Sequence, residues 1–171
     1  NVLFLRTVWG LGVVHAGLLS VLAPVVVAIT SMVTARLMRR VGFRPLLIGG
    51  PIVFATVVGG EALLLGPDPA PWSRWLPLMF VLGISIGLSF PVVSAAAVQS
   101  LTPANFALGG AINNTTRQVG AAIGVALLVT VQSAFDGIGG FRAGWLFVAG
   151  CGIAAAAVST AQPRTSPKDA R

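Results

Sequence analysis

Long apolar stretches, separated by short groups of charged or turn-forming residues, run along the whole chain. No fully charged side chain occurs between Arg6 and Arg36, and a second apolar stretch follows Arg44 and ends at residues 66–71 (GPDPAP). A helix that crosses the hydrocarbon core of a bilayer needs about 20 mostly apolar residues. The two stretches predict membrane spans at residues 16–38 and 45–65.

The longest uncharged stretch, residues 75–116, contains about twice the 20 residues that one span requires. It must therefore fold back on itself, and residues 100–105 (SLTPAN) carry the turn-forming and helix-capping residue types. A further loop is predicted at residues 133–140, where Asp136 lies among three glycines. The remaining predicted spans are residues 75–99, 106–132 and 141–160.

Five predicted spans define one membrane domain, residues 1–161, followed by a polar tail, residues 162–171. The first apolar residues, before Arg6, are too few for a span or a signal peptide, and we interpret them as the end of a further helix. We therefore expect the chain to be a fragment of a longer membrane protein.

The composition excludes a water-soluble fold. Of 171 residues, 56% are hydrophobic and 9% are charged, whereas soluble domains contain about 25% charged residues. The mean hydropathy is +0.92. Because the bases lie at the ends of apolar stretches, the net charge of +7 indicates cytoplasmic loops of a membrane protein and argues against nucleic acid as a partner. The single cysteine, Cys151, excludes a disulfide framework and a CxxC metal site.

The basic residues also predict the orientation of the five spans. Seven fall on one side: Arg36, Arg39, Arg40, Arg44, Arg164, Lys168 and Arg171. Three fall on the other: Arg6, Arg74 and Arg142. Since cytoplasmic loops carry the excess of Lys and Arg, the tail and the link between the first two spans are predicted to be cytoplasmic. The expected location is a cell membrane, crossed several times.

The fourth predicted span has an unusual density of polar side chains. Asn113, Asn114, Arg117 and Gln118 fall within six residues. Arg117 lies roughly 18 Å along a helix that crosses about 30 Å of hydrocarbon, where an unpartnered charge is costly. We therefore assign these four residues to a transport pathway. The alternative is that Arg117 reaches the membrane surface or pairs with a helix outside this chain.

Two other features of the spans bear on function. Glu61 lies about 7 Å from the end of the second span, so it is either a proton-carrying group of the pathway or a carboxylate solvated at a helix end. Small residues at four-residue spacing predict close helix packing. These glycines are Gly83, Gly87, Gly120 and Gly124.

An enzymatic function is not supported. Residues 83–87 (GISIG) match G-x-S-x-G, but that motif needs a strand-to-helix turn and a histidine that follows the serine. The single histidine, His15, precedes it on another span. A membrane enzyme would also need a cluster of ionisable side chains inside the membrane, which the sequence lacks.

Two segments resemble a known transporter family. Residues 34–45 (TARLMRRVGFRP) resemble the second, degenerate copy of the basic loop motif of the major facilitator superfamily, G-x-x-x-D-R-x-G-R-R. Residues 108–120 (LGGAINNTTRQVG) resemble the ASG-x-x-N-T-x-R-Q-x-G segment of its drug/proton antiporters of the EmrB/QacA type. The loop motif departs from the family at Ala35 and at Arg39, where an acid is usual. A salt-bridge role of that acid therefore does not carry over.

The resemblance implies an all-α integral membrane fold. The chain would form most of the C-terminal six-helix half, with five complete transmembrane helices and the end of a preceding one. It also implies that Arg36, Arg40, Gly42 and Arg44 hold the cytoplasmic ends of neighbouring helices together. The implied function is proton-driven efflux of hydrophobic or cationic compounds. The alternative is a truncated or accessory membrane protein without transport activity of its own.

The same resemblance implies the partners. They are the lipid bilayer, a small-molecule substrate and the missing N-terminal half of the transporter, in which the proton-coupling acids are expected. The energy source would be the proton gradient, and no cofactor or metal is expected.

Overall fold

The computed structural model describes residues 1–98 and 101–161. Six α-helices contain most of these residues, and no strand occurs within the described ranges. The helices are α1 (Val2–Thr7), α2 (Val13–Val41), α3 (Phe43–Leu64), α4 (Leu76–Val98), α5 (Phe106–Ser133) and α6 (Ile138–Ala161). A π-helical turn (Pro71–Trp75) precedes α4, and a 3-10 turn (Pro103–Asn105) precedes α5. The all-α prediction is confirmed.

Each predicted span corresponds to one helix, but the helices extend beyond the apolar residues. α2 continues through Arg39 and Arg40, because arginine is a good helix former and a helix need not end where the hydrocarbon does. It ends at Gly42, whose φ of 80° belongs to the left-handed region that glycine adopts without a steric penalty. Gly42 alone separates α2 from α3.

The loop predicted at residues 133–140 is shorter in the structure, since α6 already begins at Ile138. Gly140 therefore lies within the first turn of α6 rather than in the loop. A Cβ atom at Gly140 would collide with the backbone carbonyl oxygens of Gln132 and Phe135, so glycine allows this tight α5–α6 connection. The predicted tail, residues 162–171, lies outside the described residues, as do its three basic side chains.

Four helical segments are long and apolar enough to cross a membrane: Val13–Val41, Phe43–Leu64, Pro71–Ala97 and Ile138–Ala161. α5 has sufficient length, at 28 residues, but its polar segment makes it less apolar than the others. That α5 also crosses the membrane stays a prediction.

The helices associate mainly as two close pairs, α2 with α4 and α3 with α6, and α3 also packs on α4. In the first pair, Gly83 and Gly87 of α4 face α2. A Cβ at Gly83 would lie 2.7 Å from Val26 Cβ, and one at Gly87 would lie 2.7 Å from Thr30 Cβ. Both glycines therefore lie where the two backbones approach closely.

The other glycine pair has no such contact. A Cβ atom at Gly120 or Gly124 of α5 would have no neighbour within 4 Å in the described chain. The close packing predicted for this pair is therefore wrong for the contacts among residues 1–98 and 101–161. The physical reason is that α5 lies at the edge of the bundle, with no buried residue, and an open groove lies between Gly124 and the other helices.

An aromatic cluster closes one end of the bundle. Phe4 is fully buried and contacts four rings, those of Trp9, Trp75, Phe141 and Trp145, at centroid distances of 5.0–6.1 Å. The indole Nε1 atom of Trp9 donates to the Gly66 carbonyl oxygen at 2.9 Å, so the cluster also anchors the α3–α4 loop. We call this end the Trp75 end, and the opposite end, where α2 meets α3, the Arg44 end.

Candidate functional site

A groove of about 490 Å³ lies between α4 and α5. From α5 it is lined by Asn114, Arg117, Gln118 and Ala121, which follow one another at helical spacing on one face. From α4 it is lined by Ser89, Phe90, Val93 and Ser94. The groove thus combines an aromatic ring and apolar walls with hydroxyl, amide and guanidinium groups.

Arg117 lies against the α4 side of this groove. Its Cζ atom lies 4.2 Å from the centroid of the Phe90 ring, which is a cation–π distance. The contact holds the charge beside an aromatic ring, and the guanidinium group carries N–H donors with which it can bind a ligand.

One of the four pathway residues predicted on α5 does not line the groove. Asn113, predicted beside Arg117, is half-buried and does not line the groove, whereas Asn114 and Gln118 do. Helical spacing places both Asn113 and Asn114 close to the face of Arg117. The packing of α5 against α4 brings Asn114 to the groove. Three of the four predicted pathway residues of α5 thus come together.

The α4 side of the groove was not predicted as a site. Ser89 and Phe90 lie in residues 87–91 (GLSFP), a segment from which no site was predicted. A polar side chain inside an apolar helix was the available signal. Ser89 Oγ donates to the Ser85 carbonyl oxygen at 2.8 Å, a local bond that keeps this hydroxyl satisfied within the helix.

Glu61 lies elsewhere, beneath the aromatic cluster at the Trp75 end. Its side chain is only 1% exposed, so the interpretation of a carboxylate solvated at a helix end is wrong. The side chain of Asn1 joins it to α6: Asn1 Nδ2 donates to Glu61 Oε1 at 3.3 Å, and Trp145 Nε1 donates to Asn1 Oδ1 at 3.1 Å. Glu61 lies only three residues before the end of α3, but side chains from outside that helix cover it.

A cavity of about 210 Å³ adjoins Glu61 and is also lined by Gln132 of α5. A larger apolar groove, of about 510 Å³, shares Phe54 and Ile86 with this cavity and shares Ser89 and Phe90 with the Arg117 groove. The two polar regions are therefore separate, but a continuous series of pockets connects them. Asn1, Gln132 and Trp145 also line this cavity, and none of them was predicted from the sequence as a neighbour of Glu61.

The basic residues of the link between α2 and α3 lie at the Arg44 end. Arg36, Arg40 and Arg44 are all exposed. Arg44 Nη2 donates to the carbonyl oxygen of Thr160 at 3.1 Å, which joins the start of α3 to the end of α6. A cation at this position also interacts favourably with the unpaired carbonyl groups of the α6 C-terminus.

The ionisable side chains suggest no metal centre in the part of the chain that the structure describes. Within residues 1–98 and 101–161, no group of three or more His, Cys, Asp or Glu side chains is positioned to hold a metal ion.

Comparison with known proteins identifies the family. The family sequence model of the Major Facilitator Superfamily matches residues 2–125, which is more than half of the chain. The chain belongs to the Major Facilitator Superfamily. Its members are membrane transporters, so the expected membership and the multi-pass membrane location are confirmed at this level.

Three curated relatives in this superfamily bear names of drug resistance or transport. The Puromycin resistance protein pur8 of Streptomyces alboniger is 34% identical over 108 residues, covering 61% of this chain and 21% of that protein. Multidrug resistance protein 3 of Bacillus subtilis (strain 168) is 28% identical over 134 residues, covering 77% of this chain and 25% of that protein. The Multidrug transporter protein MdtP of the same organism is 24% identical over 138 residues, covering 78% of this chain and 24% of that protein.

The chain thus spans about a quarter or less of the length of these superfamily relatives. No solved structure gives a significant match.

Proposed function

We propose that this chain forms most of the C-terminal half of a proton-coupled exporter of hydrophobic or cationic drugs, in the EmrB/QacA branch of the superfamily. The names of the three relatives support efflux of drugs. The structural observation that carries the proposal is the groove between α4 and α5 that contains Arg117. Intramembrane ionisable groups in transporters commonly mark the path of the substrate.

The groove has the chemistry of a site for an amphipathic molecule. Phe90 and Val93 offer apolar contact, while Asn114 and Gln118 offer amide donors and acceptors. Arg117 supplies only donors, so the part of a substrate beside it should carry oxygen acceptors, and a cationic group should lie farther away. In the complete transporter, such a site near the middle of the membrane would be reached alternately from the two sides as the halves rock.

The proposal that further helices complete the protein has its own structural support. The apolar groove of about 510 Å³ among α3, α4, α5 and α6 is open, and α5 has no buried residue. Transmembrane helices normally cover such surfaces with one another. The relatives are about four times as long as the matched segment. The second candidate, a truncated or accessory protein without transport activity, predicts instead that no helices cover this groove.

For the Arg44 end, we propose the role implied by the family loop motif. Arg36, Arg40, Gly42 and Arg44 would hold the cytoplasmic ends of neighbouring helices together during transport. The bond from Arg44 to Thr160 supports this for one of the four residues. The orientation follows from the distribution of basic residues.

The test uses the complete coding sequence that contains this chain, expressed in a bacterial strain without its own drug exporters. We expect the wild type to lower the cellular accumulation of a fluorescent hydrophobic cation, and an uncoupler of the proton gradient to abolish this effect. Arg117→Ala should lose most of the efflux at equal expression. Arg142→Ala, a matched arginine that is exposed and lies outside the groove, should retain it.

Two results would decide against the proposal. Equal accumulation in cells with the wild type and with an empty vector, for a panel of hydrophobic and cationic compounds, would favour the truncated or accessory protein. Wild-type efflux by Arg117→Ala would remove the groove from the pathway.

A further inference from the structure

Glu61 is a carboxylic acid inside a membrane helix, and side chains from four other parts of the chain surround it. Asn1 faces it from the start of α1, Leu82 and Ile86 from α4, Gln132 from α5, and Phe141 and Trp145 from α6. None of these side chains is ionisable. Among residues 1–98 and 101–161, the donor to its carboxylate is Asn1 Nδ2, which bonds Oε1.

One other ionisable group influences Glu61 in the chain as described, the α-amino group of Asn1. In the longer protein proposed above, this nitrogen belongs to a peptide bond and carries no charge. Of the side chains of this chain that line the cavity beside Glu61, none is a cation.

The charge on Glu61 therefore bears on the packing around it. An ionised carboxylate that is removed from water and has no cationic partner is costly, since one amide donor cannot replace its hydration. A neutral carboxylic acid fits the same space, because it can accept the Asn1 bond through its carbonyl oxygen and keep its proton. Closed packing at the Trp75 end therefore stabilises the protonated form of Glu61, and protonation of Glu61 in turn stabilises the closed packing.

We propose that Glu61 is a proton-carrying residue of this half of the transporter. It holds a proton while the Trp75 end is packed as in this structure, and it releases the proton when that end opens to water. In the release step, the O–H bond of the acid breaks, the proton passes to an entering water molecule, and the electron pair stays on the carboxylate. The inference rests on the proposed proton-coupled export.

The side chain of Asn1 connects the state of Glu61 to α6. It bonds Glu61 through Nδ2 and the Trp145 indole through Oδ1, so one amide group fixes the position of both. Trp145 in turn packs on Phe4, with ring centroids 5.0 Å apart. Entry of water and loss of the proton would break this chain of contacts. The aromatic cluster is then the element that opens when Glu61 ionises.

The test uses the complete transporter, purified and reconstituted, with Glu61→Gln as a neutral substitute for the protonated acid. Two transport modes are compared: accumulation of a fluorescent substrate driven by a pH gradient, and exchange of substrate between two sides without a gradient. Glu61→Gln should retain exchange and reduce gradient-driven accumulation about tenfold or more, as expected when an intramembrane ionisable group is lost. The matched control is Asp68→Asn, an exposed acid in the α3–α4 loop, which should behave as the wild type.

Infrared difference spectroscopy gives a readout that does not depend on transport. The wild type and Asp68→Asn should show the carbonyl band of a protonated carboxylic acid at neutral pH, and Glu61→Gln should lack it. If Glu61→Gln does not fold, Glu61→Asp should shift the band.

The proposal is overturned by any of three results. These are wild-type accumulation by Glu61→Gln, loss of exchange together with accumulation in a folded Glu61→Gln protein, or a band that neither substitution changes. If the wild type itself shows no gradient-driven accumulation, the proposed export fails, whereas the infrared band still reports separately whether Glu61 holds a proton.

Discussion

The guanidinium group of Arg117 lies over the ring of Phe90, with 4.2 Å between Cζ and the ring centroid. The contact joins α5 to α4 at the groove and compensates part of the cost of a charge in the apolar region. Since α5 has no buried residue, this is one of the specific interactions that orient it. Arg117 is therefore both a ligand candidate and a packing residue.

The Arg117–Phe90 contact predicts coupled effects on substrate binding. Arg117→Ala should weaken binding about tenfold or more, because a charged donor to a ligand contributes about 1.5–3 kcal/mol. Phe90→Leu should weaken it only about threefold, as expected for a cation–π contact of about 0.5–1 kcal/mol. Equilibrium binding of a fluorescent substrate to the purified complete transporter measures both. The double variant should bind more weakly than Arg117→Ala by a smaller factor than Phe90→Leu costs alone, since part of the ring's effect acts through the arginine; fully additive effects would contradict this.

The two glycine pairs should respond oppositely to the same change. Gly83→Ala and Gly87→Ala should each destabilise the protein by about 1–3 kcal/mol, because the new methyl group would overlap with side chains of α2. Gly120→Ala, where nothing lies within 4 Å, should be neutral or slightly stabilising, since alanine favours a helix over glycine by about 1 kcal/mol. Thermal unfolding of the purified proteins gives the comparison. Equal losses at Gly83 and Gly120 would contradict it.

Thr34 should contribute to the association of α2 with α4. Its hydroxyl is fully buried and lies 2.8 Å from the Thr30 carbonyl oxygen of its own helix and 3.0 Å from the Gly87 carbonyl oxygen of α4. Thr34→Val keeps the shape and removes the hydrogen bond between helices, at an expected cost of about 0.5–1.5 kcal/mol. Thr56→Val is the matched control, because Thr56 is exposed and bonds only within its own helix. Unfolding midpoints that fall equally for both variants would exclude the interhelical bond as the cause.

Arg44 should hold the end of α6 in place. Arg44→Ala removes a cationic donor to the Thr160 carbonyl oxygen near a helix C-terminus, an interaction worth about 0.3–1 kcal/mol. Hydrogen–deuterium exchange in the last turn of α6 should therefore become about two- to fivefold faster, which corresponds to that free energy. Arg39→Ala, an exposed arginine of the same segment, serves as the control. Unchanged exchange in Arg44→Ala would show that the bond does not stabilise this helix end.

The sequence alone determined the helices and their order. Hydrophobic length and the exclusion of charge from hydrocarbon are local properties, so the stretches between Arg6, Arg36, Arg44 and the turn at residues 100–105 could be measured without knowledge of any contact. The backbone must satisfy its own hydrogen bonds inside a membrane, which leaves an apolar stretch of that length little choice but a helix. The family resemblance likewise depended on short strings of neighbouring residues.

Tertiary structure alone decided which faces and side chains meet. Glu61 is three residues from the end of α3, yet it is buried by side chains from outside that helix. Gly83 and Gly120 begin the same motif, yet only Gly83 meets another helix. The groove takes Asn114 rather than Asn113, although both fit a helical repeat with Arg117. Contacts between helices depend on rotation about each axis and on partners distant in the chain, and neither is encoded in the length or polarity of a single segment.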